Sequence, residues 1–166
     1  ADAPSRCEFD GLTSAFTLKG PELSEAILRG YKDVENRCIR LPLGWVAIHT
    51  GQSMAEPRMH SAIHHLSPGL PPTQDCPRGA VVGVCFVVRA VPLDTLRAEQ
   101  DCGDACRVVP GTLDSTHAES CKLSPHALGP FCSIISAVIR LPIPVPCRGQ
   151  VGVWDLKPEQ RKNVIA

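Results

Sequence analysis

The chain has 166 residues, of which 43% are hydrophobic and 20% charged, so it has the size of one domain and can bury a core. Its 17 lysines and arginines balance 17 acidic residues. A net charge of zero argues against a domain that holds nucleic acid mainly by neutralising phosphates, although it leaves room for a local basic cleft. The longest apolar run, residues 80–88, suits a buried strand and is too short to span a bilayer.

We therefore expect a soluble domain without a transmembrane segment. The chain begins at Ala1 and not at methionine. This start is compatible with removal of an upstream transit peptide, and thus with an organellar as well as a cytoplasmic location. The sequence does not choose between these compartments.

Hydrophobic periodicity predicts short strands and helices that alternate along the chain. The predicted strands are residues 13–18, 32–39, 45–49, 80–91, 131–141 and 150–156. Helices are predicted from Pro21, from Arg58 and, more weakly, from Leu93, and Gly30 stands where a left-handed residue would end the first of them. Residues 67–78 contain four prolines and predict an extended surface loop. Together these elements indicate a compact α+β or barrel architecture.

The pattern also sets the expected boundaries of the domain. Residues 1–12 and 157–166 show no usable period and are predicted to be tails, which leaves residues 13–156 as the domain. Residues 100–125 have little periodicity and are interpreted as a loop insertion within it.

One motif links the chain to a known family. Residues 30–37 read G-Y-K-D-V-E-N-R and fit the ASCH pattern G-x-K-x-x-E-x-R at every fixed position. Further segments follow in the order seen in that family: residues 44–49, 79–84, 127–132 and 144–154. On these residues the chain resembles the ASCH family of the PUA-like superfamily. The resemblance implies an α+β fold, a small and mostly antiparallel PUA-like β-barrel with two or three short helices.

The charged residues of this motif are the first candidates for a site. With a strand's period of two, Glu35 and Arg37 share one face, and Lys32 reaches that face only through a turn. The Arg37 guanidinium can bind phosphate or carboxylate, and Lys32 can act as a point charge or base. Spacing alone favours surface ion pairs on an exposed strand, each contributing little. The resemblance implies instead a polar cleft that binds RNA or a nucleotide.

Two neighbours extend this candidate site. Arg40 adds a positive charge beside the motif. His49 follows on the next predicted strand, where it is either an acid or base near the cleft or a histidine hydrogen-bonded to the fold.

Three functions are open at this point. The first is an RNA- or nucleotide-binding module, and the second is a non-catalytic accessory or interaction subunit of a larger protein assembly, in an organelle or elsewhere. The third is a small hydrolase acting on modified nucleosides or RNA. Related hydrolases use the motif lysine, a threonine three residues later and a distant glutamate. Here that threonine position holds Glu35, and a carboxylate cannot simply replace a hydroxyl nucleophile in amide hydrolysis.

Nine cysteines are too many, and odd in number, for complete pairing within the chain. Cys85 and Cys132 lie in apolar surroundings and are predicted to be buried. Four residues of the insertion are spaced as C-x3-C-x10-H-x3-C, namely Cys102, Cys106, His117 and Cys121. They could hold structural zinc, with a disulfide or a partner contact as the favoured alternatives. No other cofactor is predicted.

Overall fold

The computed structural model describes residues 9–101 and 123–166. Within these ranges the strands are β1 (Ser14–Leu18), β2 (Val34–Arg37), β3 (Gly44–Thr50), β4 (Ala80–Pro92), β5 (Phe131–Pro146) and β6 (Val153–Asp155). The helices are α1 (Pro21–Leu28), α2 (Pro57–Leu66), α3 (Leu93–Asp101) and α4 (Pro158–Ile165), and Thr73–Asp75 forms one 3-10 turn in the predicted loop. None of these described helices is long and apolar enough to cross a membrane.

The strands form one mixed sheet in the order β2-β5-β4-β3-β1-β6. Every neighbouring pair is antiparallel except β1 and β3. The predicted α+β class and mostly antiparallel sheet are therefore confirmed, with four helices in the described residues where two or three were expected. The sheet is strongly curled. This is evident from the side chain of Arg37 on the edge strand β2, which contacts the backbone of β1 near the opposite edge.

The sheet is buried on both of its faces. On β3, Ile48 packs into a cluster with Phe16 and Ile27, whereas its neighbour Ala47 packs into a second cluster with Trp154. Successive strand residues point to opposite faces, so burial of both faces requires apolar residues at consecutive positions. This explains the unbroken apolar run at the start of β4.

Helix α1 delivers the motif to the sheet. Pro21 occupies its first turn, and the helix ends before Gly30, whose φ is +77°. The predicted left-handed glycine is thus confirmed. The chain then reverses, and the backbone N–H of Lys32 donates a hydrogen bond to the carbonyl of Ala26 at 2.9 Å. This reversal places Lys32 beside the start of β2 rather than within it.

β5 is longer than predicted, since it continues beyond residue 141 and includes Pro142, Pro144 and Pro146. Val145 pairs with Val81, and Arg140 pairs with Gly83, so residues 141–144 lie where the register between β4 and β5 shifts. Proline lacks the N–H that a regular ladder requires and is tolerated at such irregularities.

The last ten residues, predicted to be a tail, contain the helix α4. Pro158 begins the helix, and Val164 is only 3% exposed, packed in the same cluster as Leu12 and Trp154. The helix has few apolar residues, so its period was not visible in the sequence. At the other end, Leu12 is fully buried, so the segment before β1 also contributes to the core.

If α4 belongs to the folded unit, shortening Val164 must lower stability. We expect Val164→Ala to reduce the free energy of unfolding by about 1–2 kcal/mol, because it removes buried methyl groups. Val151→Ala makes the same chemical change at a fully exposed position and should have little effect. Urea denaturation of both variants measures the difference, and equal midpoints would show that α4 adds nothing to the core.

Candidate functional site

A cleft of ≈1040 Å³ opens beside the ends of β1, β2 and β5. Its volume is at the upper end of the range for small-molecule sites. Three residues predicted for the site, Glu35, Arg37 and His49, line it. Lys32 and Arg40 are not among the lining residues. The remaining walls include Leu18, Lys19, Leu23, Ile39, Met59, Arg148, Gln150 and Val151.

Lys32 is a buried counter-ion and not a surface cation. Only 5% of the residue is exposed, and its Nζ donates to Glu35 Oε2 at 2.5 Å and to the carbonyl of Val34. Its ammonium group therefore lies behind Glu35 as seen from the cleft. Lys32 therefore forms neither a surface ion pair nor part of the cleft lining, because the turn after Gly30 directs it inward against the sheet.

Arg37 ties β2 to β1. Its Nε donates to Glu35 Oε1 at 3.2 Å, and its Nη2 donates to the backbone carbonyl of Thr17 at 2.6 Å. The guanidinium carbon lies 5.0 Å from the centre of the Phe16 ring. Glu35 thus shares its two oxygens between two cations, Lys32 and Arg37, and the three side chains form one fixed unit at the cleft wall.

Asn36 anchors β2 on its other side, a role that the sequence analysis missed. Its Nδ2 donates to the carbonyl of His126 at 2.7 Å, and its Oδ1 accepts the N–H groups of Leu128 and Gly129 at 2.8 and 2.9 Å. These contacts join residues that lie about ninety positions apart in the sequence. The one signal for them in the sequence is that Asn36 alternates with Glu35 and Arg37 along the strand and so points to its other face. Arg40 is exposed, with its guanidinium 5.2 Å from the ring of Phe131.

His49 lies under the cleft in a directional chain of hydrogen bonds. Its Nε2 contacts the carbonyl of Cys147 at 2.9 Å, and because a carbonyl only accepts, Nε2 carries the proton. Nδ1 then accepts from the hydroxyl of Thr17 at 3.3 Å, and Thr17 in turn accepts from Trp154 Nε1 at 3.0 Å. Burial lowers the pKa of His49, and the bond to Cys147 offsets this only in part. The arrangement fits a neutral histidine hydrogen-bonded to the fold.

The four zinc candidates, Cys102, Cys106, His117 and Cys121, lie outside the described residues, so the choice between zinc, disulfide and partner contact stays a prediction. In residues 9–101 and 123–166 no group of three or more His, Cys, Asp and Glu side chains forms a metal site. The predicted burial of Cys85 and Cys132 is confirmed, since both are 0% exposed. Burial raises the pKa of Cys85 to about 12, so its thiol is unreactive.

The buried Lys32 predicts a stability effect. We expect Lys32→Met to lower the free energy of unfolding by about 3 kcal/mol, the lower end of the range for breaking a buried pair, because Arg37 still compensates Glu35. Lys162→Met, the same change on the exposed surface of α4, should shift it by less than about 0.5 kcal/mol. Chemical denaturation tests this, and a Lys32→Met protein as stable as the control would show that the ion pair is not needed.

Because His49 is neutral in the folded protein, we expect the stability of the fold to decrease in acid. A histidine whose pKa is lower in the folded state leaves the unfolded chain binding more protons, so stability is complete above about pH 6.5 and is lost as the pH falls towards the folded value. Burial and the charge of Lys32 lower the pKa of His126 as well, so both residues contribute.

We expect the free energy of unfolding to fall between pH 7.5 and pH 5.0, and to fall less in His49→Gln. His65→Gln removes an exposed histidine of α2 and should retain the full decrease. Denaturation curves at the two pH values provide the measurement. An identical decrease in His49→Gln and the unmodified protein would contradict the neutral assignment.

The structure is similar to solved ASCH structures from Zymomonas mobilis. The ASCH structure shares 15% identity and a TM-score of 0.48, with 92% of each chain covered. Two point mutants share 16% identity and TM-scores of 0.48 and 0.46, covering 92% of this chain and 93% and 95% of theirs. Neither a family model nor a curated protein matches the chain. With identities of 15–16% and TM-scores below 0.5, the likeness carries no conclusion about the function of this chain.

Proposed function

We propose that the cleft binds a nucleotide or a short segment of single-stranded RNA. The observation that carries this proposal is the combination, in one cleft of ≈1040 Å³, of apolar walls with the fixed pair Glu35 and Arg37. Ligand sites are typically apolar with a few well-placed polar groups. A nucleotide has matching parts, because its base is flat and apolar on its faces and polar at its edge.

Exposed apolar side chains surround the cleft. Ile39, Met59 and Val151 are 49%, 46% and 101% exposed. Aromatic residues for stacking are scarce in this chain, at 4% of the sequence. The faces of a base can pack instead on aliphatic side chains and on a polarisable thioether, which makes favourable contacts with aromatic rings.

The carboxylate of Glu35 can read the edge of a base. Each carboxylate oxygen of Glu35 already accepts one hydrogen bond, from Lys32 or from Arg37, and retains capacity for a second. A base N–H donor is the natural partner for that capacity. Because the side chains of Lys32 and Arg37 hold Glu35 in place, little conformational entropy is lost when such a ligand binds.

The charges of the cleft favour an anionic ligand despite the neutral chain. Its charged lining residues are Lys19, Arg37 and Arg148 against Glu35. Lys32 lies directly behind Glu35 and offsets its negative charge. The cleft is therefore locally positive, which a net charge of zero for the whole chain conceals.

Binding and its location can be tested together. We expect labelled single-stranded RNA or ribonucleoside 5′-monophosphates to bind at low salt, and Ile39→Glu to weaken binding on the order of tenfold or more, because it places a negative charge in the apolar wall. Ile143→Glu makes the same change at a 79% exposed position outside the cleft and serves as control. Fluorescence anisotropy provides the measurement.

Two results would count against the proposal. Equal affinity of both variants would place the ligand elsewhere. The absence of any binding by the unmodified protein at low salt would overturn the proposal and leave the interaction-subunit alternative.

A further inference from the structure

The motif cations are already engaged within the protein, so other groups must meet the anionic part of a ligand. Lys32 is buried against Glu35, and Arg37 donates from both Nε and Nη2 to protein oxygens. Each of these bonds fixes the sheet. A phosphate that recruited either side chain would first have to break a buried contact, which costs more than a new charged contact returns.

Two other cations of the cleft are uncommitted. Lys19, at the end of β1, and Arg148, after β5, are exposed and line the same cleft. Neither forms an ion pair with a carboxylate in the part of the chain that the structure describes. Their charges are thus available to a ligand without loss of an internal contact.

The loop of residues 148–152 adds backbone donors. It reads R-G-Q-V-G and lies in the cleft wall along its whole length. Among the described residues no acceptor is found for its five backbone N–H groups. Consecutive free N–H groups in a glycine-containing loop are a common way to bind an anion.

This loop is held in place from below. The Cys147 N–H donates to the carbonyl of Gly79 at 3.0 Å, and its carbonyl accepts from His49. At Gly149 a Cβ would lie 2.4 Å from the His49 ring and 2.7 Å from Thr17 Oγ1. Only glycine lets the backbone approach this closely, so the loop rests directly on the buried chain of hydrogen bonds. Its donors are therefore pre-positioned rather than free to collapse.

We propose that Arg148, the backbone N–H groups of residues 148–152 and Lys19 form a phosphate-binding subsite. This inference rests on the proposed function and names the part of the ligand that the loop contacts. Phosphate suits the site because several oxygens can accept from a guanidinium fork, from successive N–H groups and from an ammonium at once. The apolar wall and Glu35 then remain for the base.

The test compares nucleosides with nucleotides. The probes are the four ribonucleosides, their 5′-monophosphates and dinucleoside monophosphates without a terminal phosphate. We expect the monophosphates to bind the unmodified protein on the order of tenfold or more tightly than the nucleosides, because phosphate adds charge-assisted hydrogen bonds. In Lys19→Ala/Arg148→Ala this advantage should disappear, while nucleoside affinity stays unchanged.

A matched control is available on α4. Arg161→Ala/Lys162→Ala removes the same two charges from exposed positions outside this cleft, and should retain the phosphate advantage. If it loses affinity as much as Lys19→Ala/Arg148→Ala does, the effect is one of net charge and the subsite is refuted. Dinucleoside monophosphates that share the sensitivity would identify an internucleotide phosphate, and those that do not would identify a terminal one.

Failure of the subsite and failure of the proposed function give different results. Nucleosides and monophosphates that bind equally well, with no loss in Lys19→Ala/Arg148→Ala, would refute the subsite while the nucleotide cleft stands. No binding of any probe to the unmodified protein would refute both.

Discussion

The Glu35 carboxylate is the point where the sheet edge, the turn after α1 and the cleft meet. It accepts from Lys32 on its buried side and from Arg37 on its open side, and Arg37 continues to the backbone of Thr17 on β1. Among the described strands β2 pairs only with β5, so its connection to β1 across the opening of the curled sheet depends on side chains. These side chains supply that connection. Removing the carboxylate would leave the buried ammonium of Lys32 without its counter-ion and the Nε of Arg37 without its acceptor.

In this arrangement the charged residues that stabilise the cleft differ from those that are available to a ligand. A buried lysine and a doubly bonded arginine stabilise the shape of the cleft, whereas Lys19 and Arg148 face solvent at its wall and cost little to redirect towards a ligand. These two roles place opposite demands on a charged side chain. A charge that is paired within the fold must stay desolvated, whereas a charge that binds a ligand must exchange partners readily. The two motif cations, Lys32 and Arg37, can therefore shape the cleft without touching a ligand.

Features of the fold and the cleft could be predicted from the sequence where they depend on residues close together in the chain. Local signals predicted β4 from its apolar run, Gly30 from the helix end, and the common face of Glu35 and Arg37 from strand parity. The burial of Lys32 was not readable, since it depends on how the turn packs against the sheet. Helix α4 was missed because its burial rests on one small side chain, Val164.

The position of the loop of residues 148–152 could not be predicted from the sequence, because it depends on contacts between residues far apart in the chain. Its anchor joins His49 to Cys147, ninety-eight positions apart, and neither residue type signals the other. The sequence predicted a strand over residues 150–156, whereas β6 begins only at Val153. At position 149 the missing side chain of glycine lets the loop pack directly on a neutral, buried imidazole. Protonation of that imidazole would keep its donor to the Cys147 carbonyl but remove the acceptor for the Thr17 hydroxyl, so acid disturbs the chain of hydrogen bonds beneath the loop.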